Sequence, residues 1–185
     1  LDVTGKEKKT SGTDAQTRTE EILGATASFF VEYTPEIFNN RVSLGVDVVP
    51  YDIDLGSVTN VRRGGTLGNQ NNQTGTNSAA LKMKSPLTGY LLFPSEQGLY
   101  LKAGVSYATL RINESTTTGS THPDEDIYGG HISVGYEREL DAAFIRVEVG
   151  HNKWDTVESK STSNRYTVEG DLDGTVARIS IGKSF

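Results

Sequence analysis

The sequence predicts an all-β, antiparallel fold: one domain over residues 1–185, with eight strands wound as an up-and-down barrel. Three observations lead there. Apolar residues recur with period 2 in stretch after stretch, the signature of strands with two unlike faces. No apolar run approaches the roughly 18 residues that a membrane helix needs, so any crossing of a membrane must be by strands. The connections alternate long and short, which sorts all the short turns to one end of the strands.

Leu1–Lys9 starts with apolar residues at 1 and 3 and then turns charged through KEKK. A membrane strand needs about 9–11 residues, so this strand is expected to be short here or to have lost residues upstream of Leu1. Gly5–Thr19 is rich in Thr, Lys and Gly without a period and reads as a loop. In Glu20–Thr34, Leu23, Ala25, Ala27, Phe29, Val31 and Tyr33 share one face, opposite Gly24, Thr26, Ser28, Phe30 and Glu32. Pro35–Asn40 is a tight connection. Arg41–Asp52 repeats the pattern, with Val42, Leu44, Val46 and Val48 against Ser43, Gly45, Asp47 and Val49.

Gly56–Ser78 is a long Asn/Gly/Thr/Gln tract. It would count against a compact soluble domain but is expected on the outer side of a barrel. Ala79–Phe93 puts Leu81, Met83, Leu87, Leu91 and Phe93 on one parity, and Pro86 predicts a bulge or kink. After the turn Pro94–Gly98, Leu99–Ile112 sets Leu101, Ala103, Val105 and Tyr107 against Lys102, Gly104 and Ser106. Asn113–Asp126 is a polar loop. Ile127–Leu140 sets Ile132, Val134 and Tyr136 against His131, Ser133, Gly135 and Glu137. A turn at Asp141–Ala142 leads to Ala143–Val157, with Ile145, Val147 and Val149 against Arg146, Glu148 and Gly150. Glu158–Arg165 is a Ser/Thr-rich loop. In the final stretch, Tyr166–Phe185, Ala177, Ile179, Ile181 and Lys183 alternate with Val176, Arg178, Ser180 and Gly182.

With eight strands, both termini fall at the short-turn end, as in a transmembrane up-and-down barrel. Greek-key connections of a soluble sandwich would mix loop lengths. Aromatic residues gather at both ends: Tyr33, Phe38, Phe93, Tyr100, Tyr136, Phe144 and Phe185 near the short turns, and Tyr51, Tyr107, Tyr128, Trp154 and Tyr166 toward the long loops. Such belts are expected at the two interfaces of a membrane barrel. The composition, 35% hydrophobic with 20 Gly, suits a wall whose interior and loops are wet. A net charge of −6 argues against nucleic acid as the main partner, and the absence of Cys excludes disulfides and thiolate metal sites.

These features carry a resemblance. The whole chain resembles the small eight-stranded bacterial outer-membrane β-barrels, such as the OmpA transmembrane domain and the OmpX and OmpW groups. The pieces FFVEYTPE, GLYLKAGVSY and RISIGKSF are similar to small porin-like barrels. The resemblance implies a Gram-negative outer membrane as the location and lipid and lipopolysaccharide as surroundings. It also implies that the last strand, through Ile179, Ile181 and Phe185, is read by the barrel-insertion machinery and pairs with the first. Lys183 departs from the apolar residue usual at its place, and a Lys there can snorkel to the membrane boundary. A monomer is expected, with lateral association open.

The inward parity carries Glu32, Asp47, Lys102, Glu137, Arg146, Glu148 and Arg178. Eight strands leave an interior that side chains fill, so these charges must pair or hold water. They form either a structural salt-bridge network, the favoured reading, or a narrow gate for small ions. His131 and His151 invite a hydrolase reading, but that chemistry needs a Ser activated by a His that an acid orients, and no Ser lies within two residues of His151, so no catalytic residue is assigned and no enzyme activity expected. The acidic runs HPDED (122–126) and GDLDG (170–174) lack an EF-hand pattern and read as solvated charges, so no metal or cofactor is assigned. Arg62–Gly65 lacks the features of a phosphate loop. The alternative class is a soluble β-sandwich acting as a surface or virion binding module.

Overall fold

Stretches rich in β-branched and aromatic residues, alternating in polarity, take up strands along the whole chain. The computed structural model describes residues 2–9, 16–38, 42–62, 75–115, 123–141, 143–160 and 166–184. The strands are β1 (Asp2–Lys9), β2 (Gln16–Glu21), β3 (Phe29–Tyr33), β4 (Ser43–Val48), β5 (Ile53–Arg62) and β6 (Gly75–Pro94). They continue as β7 (Leu99–Ser115), β8 (Glu125–Glu139), β9 (Phe144–Trp154), β10 (Val157–Lys160) and β11 (Tyr166–Gly182). A single 3-10 turn, Glu36–Phe38, is the only helical element among the described residues.

All pairings are antiparallel and lie in one sheet, in the order β2-β1-β11-β9-β8-β7-β6-β4-β3, with β5 beside β6 and β10 beside β11. With β2–β3, β4–β5 and β9–β10 each taken as one interrupted strand, chain neighbours pair throughout the described residues, and the first strand returns to the last. Eight expected strands become eleven because three are interrupted. Residues 22–28 separate β2 from β3, residues 49–52 separate β4 from β5, and Asp155 and Thr156 separate β9 from β10. Pro50, with no N–H to donate, lies in the second break. The sheet is not closed by hydrogen bonds: among the described residues no ladder joins β3 to β11. Its two margins are nevertheless close. Arg146 on β9 bonds Glu32 on β3, and the Phe30 and Phe144 rings lie 6.2 Å apart.

The connections at one end, the turn end, are short and internally bonded. In the β6–β7 turn, Ser95 N–H donates to Leu99 O (2.7 Å) and Gly98 N–H to Ser95 O (3.1 Å). Gly98 adopts φ +83°, a left-handed conformation in which a Cβ would also strike the Glu137 carbonyl. Leu140 N–H donates to Ala143 O (2.7 Å) in the β8–β9 turn. The opposite end, where β1, β5, β7 and β10 finish, is the loop end; residues 10–15, 63–74, 116–122 and 161–165 lie outside the described residues.

At that end the strands run further than the period-2 pattern reaches. β1 and β2 pair from Asp2↔Glu21 to Glu7↔Gln16 inside the expected loop 5–19, and β5 and β6 pair as far as Arg62↔Gly75. A backbone ladder needs no apolar face, so polar strands continue without a hydrophobic signal.

The bulge expected at Pro86 is present. The β6–β7 register shifts between Lys84 and Leu87, and Ser85 takes φ 35°. The shift reverses facing within β6. Below it Thr88, Tyr90 and Leu92 point inward; above it Met83 does, at 3% exposure, with Leu81 packed beside the same interior cluster. The single parity assigned to Leu81, Met83, Leu87, Leu91 and Phe93 is therefore corrected: the first two face the interior. Tyr100, Phe144 and Trp154 are also buried inward rather than standing in outer belts. Tyr33, Tyr51, Phe93, Tyr107, Tyr128 and Tyr136 are exposed.

Candidate functional site: a charged interior

The sheet turns its aliphatic face outward. Across neighbouring strands, Phe93, Leu101, Val134, Val149 and Ala177 form one outward row, and Leu99, Tyr136, Val147 and Ile179 another. The inward face holds buried Asp47, Lys102, Ser106, His131, Ser133, Arg146 and Glu148. Burial of these groups with exposure of Val, Leu and Ile inverts the distribution of a water-soluble domain.

Four inward rings each lie directly across the ladder from a glycine. Tyr90 pairs with both Gly45 and Gly104, Tyr100 with Gly135, Phe144 with Gly182 and Trp154 with Gly129. At each of these glycines a Cβ would collide with the facing aromatic residue. The missing side chain is what lets the ring lie flat over the neighbouring strand and fill a narrow interior.

The seven charges foreseen on the inward parity all face this interior, in three ion-paired groups. Arg146 Nη1 and Nη2 donate to Glu32 Oε1 (2.6 Å) and Oε2 (2.7 Å), while its Nε donates to Glu137. Arg146 also sits over Phe144, Tyr100 and Phe30, at 4.5, 5.4 and 5.7 Å from the ring centres. Lys102 Nζ lies 2.7 Å from Glu148 Oε1 and 4.8 Å from the Tyr90 ring centre. Arg178 bonds Asp47 across the interior. Tyrosines tie the groups together: Tyr90 O–H donates to Glu32 (2.6 Å), and Tyr100 O–H to Glu148 (3.0 Å).

Sequence reasoning placed His131 on the inward parity and weighed it only for hydrolase chemistry, without linking it to the second group. His131 is buried, with Nδ1 2.5 Å from Asn152 Oδ1 and Nε2 3.2 Å from Ser133 Oγ. Asn152 Oδ1 is an acceptor, so Nδ1 donates to it, while Nε2 lies within bonding distance of the Ser133 hydroxyl. Residues 131 and 133 share a strand face, and Asn152 is the ladder partner of His131, so period and register together hold the signal. A Ser–His–Asn chain can in principle activate a nucleophile. Here the backbone around Ser133 pairs on both sides, with Lys102 and Gly150. Those strand amides are spent on ladders and leave no pair of N–H groups for an oxyanion. Ser133 also does not border the neighbouring cavity. The arrangement positions His131 beside Glu148, 3.7 Å away, and completes the network.

His151 is exposed, 3.8 Å from Asp173. The acidic runs are hydrogen-bonded within the wall. Asp124 pairs with Arg111 (3.1 Å), Asp126 accepts from Tyr107 (3.0 Å) and Thr109 (2.8 Å), and Asp171 accepts from Thr156 (2.6 Å). Among the described residues no three His, Asp or Glu gather as a metal site. Ile179 and Ile181 stand outward on β11, and Phe185 lies outside the described residues.

Toward the loop end the interior changes character. Leu55, Met83, Ala108, Leu110, Ile127, Trp154 and Leu172 form a buried apolar cluster. Between it and the charged layer is a cavity of about 390 Å³. Its walls include Gly24, Ala25 and Thr26 on one side and Gly174, Thr175 and Val176 on the other. No family model, curated protein or solved structure matches the chain.

Proposed function

We propose that the chain is a small integral β-barrel of a Gram-negative outer membrane, closed as eight strands. Its role is structural and surface-presenting, and its polar interior passes at most small solutes. The observation that carries this reading is the inverted distribution of side chains: aliphatic rows cover the outside while paired charges occupy the inside. Water on the outside would leave that aliphatic surface unsatisfied, far beyond the few hundred Å² a monomer usually exposes. Hydrocarbon satisfies it, because along the middle of β4 and β6–β9 the charged side chains turn inward and the backbone groups pair in ladders.

Lipid and lipopolysaccharide are the partners of the outer face. The strand bearing Ile179, Ile181 and Phe185 is the segment the insertion machinery would read. The interior supports a plugged wall rather than an open pore, since rings and ion pairs occupy the lumen at the turn end. No chemical step is assigned.

The test is refolding into detergent micelles, followed by gel migration with and without boiling. A membrane barrel migrates as a compact species until boiled, and planar bilayers containing it stay electrically silent. A chain that is monomeric and folded in plain buffer, with no compact unboiled species, would instead be a soluble sandwich.

A further inference from the structure

The cavity between the charged layer and the apolar cluster has two unlike ends. At its apolar end stand Ile53, Leu55, Met83 and Trp154, the last three buried. At its polar end stand Asp47, Lys102, Asn152 and Arg178. Met83, Lys102 and Asn152 lie on strands paired on both sides, so their places do not depend on the margins of the sheet. The polar end has more donors than acceptors. Lys102, at 5% exposure, pairs with Glu148, whose other oxygen already accepts from Tyr100. Arg178 bonds Asp47 through one nitrogen, and the Asn152 side chain uses only its oxygen, on His131. The remaining side-chain N–H groups of Lys102, Arg178 and Asn152 have no acceptor among the described residues. Of the charges bordering this end, Lys102 and Arg178 are positive and Asp47 is negative; Glu148 does not border the cavity. Asp52 and Asp54 border it too, but both are exposed, and Asp54 accepts from the Gly56 N–H (2.8 Å).

Neither water nor a hydrocarbon suits such a space. A buried water needs several polar partners, which the apolar end lacks. A wholly apolar guest would leave the donors at the other end unpaired. We infer that the cavity binds one amphipathic monocarboxylate, an unbranched acid of about eight to ten carbons. At roughly 30 Å³ for each water-sized group, its 390 Å³ hold about a dozen non-hydrogen atoms. The carboxylate takes the unused N–H groups of Arg178, Lys102 and Asn152, and the two cations make these charge-assisted bonds. A guanidinium presents a planar fork that suits a carboxylate. The tail lies among Leu55, Met83 and Trp154. An alcohol forgoes the charge, and an alkylammonium ion would set a third cation beside Lys102 and Arg178. The site goes beyond the membrane reading and does not depend on it, because the cavity is on the inner face whatever covers the outer one.

Trp154 is the only Trp of the chain and borders the cavity, so it reports occupancy. The protein is refolded into phosphatidylcholine vesicles and titrated with ω-bromo-octanoate, whose bromine quenches a tryptophan it touches. A Trp placed at Val134 in a Trp154→Phe background faces outward and gauges the probe in the bilayer; its quenching should rise without saturating. Quenching of Trp154 should saturate, and unbrominated octanoate should reverse it. At equal bilayer loading, half-saturation should come at a concentration about tenfold below that for ω-bromo-octanol. Asp47→Asn/Arg178→Met removes the guanidinium together with its carboxylate partner and should weaken octanoate binding about tenfold, leaving bromo-octanol unchanged. The comparison of head groups uses the unaltered chain, so it decides the matter even where that variant fails to fold. Quenching of Trp154 that never saturates, equal saturation by acid and alcohol, or a preference for ω-bromo-octylamine overturns the site. Heat-modifiable migration is read on the same samples. Its presence without saturable quenching refutes the site alone, and its absence beside saturable quenching refutes the membrane reading alone.

Discussion

Arg146→Ala is the most searching perturbation of the charged interior. The guanidinium makes two bonds of 2.6 and 2.7 Å to Glu32 and a third to Glu137, and it is sandwiched among three rings. The Arg146 and Glu32 side chains are only 10% and 13% exposed, so water replaces little of what is lost. Removing the cation leaves Glu32 with one neutral donor, Tyr90, and brings an unneutralised Glu137 toward it. Breaking a buried pair from one side typically costs about 3–5 kcal/mol, and that is the expected loss. The assay is urea unfolding in lipid vesicles, read by the single Trp, with the midpoint shift converted at constant slope. Arg146→Lys keeps the charge but not the two-pronged fork, and should lose about 1–2 kcal/mol. The triple variant Glu32→Gln/Glu137→Gln/Arg146→Met should recover most of the loss, because no carboxylate partner of the guanidinium is then stranded. A loss below about 1 kcal/mol for Arg146→Ala, the value of a solvent-exposed pair, would refute a buried network.

Three further outcomes test separate parts of the reading. Trp154 is buried inside, so brominated lipids should quench it weakly, whereas a Trp placed at Val134 in a Trp154→Phe background should be quenched strongly; the reverse order would turn the sheet inside out. Gly45→Ala drives a methyl into the Tyr90 ring and should cost about 1–3 kcal/mol as an overpacking defect. Gly130→Ala, which points into open space on the outward face, should stay within about 0.5 kcal/mol by the same unfolding assay. Lys102→Met strands Glu148, which keeps the Tyr100 hydroxyl at 3.0 Å, and should lose about 3 kcal/mol by urea titration.

What the sequence discloses here is facing, and what it withholds is register. Period 2 alone separates Val147 from Arg146 and Ile132 from His131, because each strand is oily on one side and polar or small on the other. It cannot tell that Arg146 meets Glu32, 114 residues away, since that depends on how the sheet curls. The aromatic–glycine pairs are equally invisible until strands are aligned: Tyr90 and Gly45 mean nothing to each other on separate lines. Facing itself failed at the bulge, where residues 84–87 reverse the parity for Met83. The apolar end of the interior was missed for another reason. Leu55 and Leu172 stand among Asp, Ser and Gly in stretches without an aliphatic outer face, so no alternation marks them as inward.

The packing and the electrostatics of the interior are one interaction, and this bears on whether ions cross. A ring over a glycine brings an aromatic face close to the neighbouring strand, and two of the three paired cations of the interior rest on those faces. Lys102 lies on Tyr90, and Arg146 on Phe144. Each cation is held at once by a carboxylate and by a ring. An ion passing the turn end would have to draw Arg146 off two carboxylates and three rings, or Lys102 off Glu148. Neither has a second buried carboxylate group waiting, since Asp47 already holds Arg178. Such a layer holds strands together rather than opening between them. Conductance should therefore appear only where both a ring and its cation are removed, as in Tyr90→Ala combined with Lys102→Ala, and stay absent in either single variant.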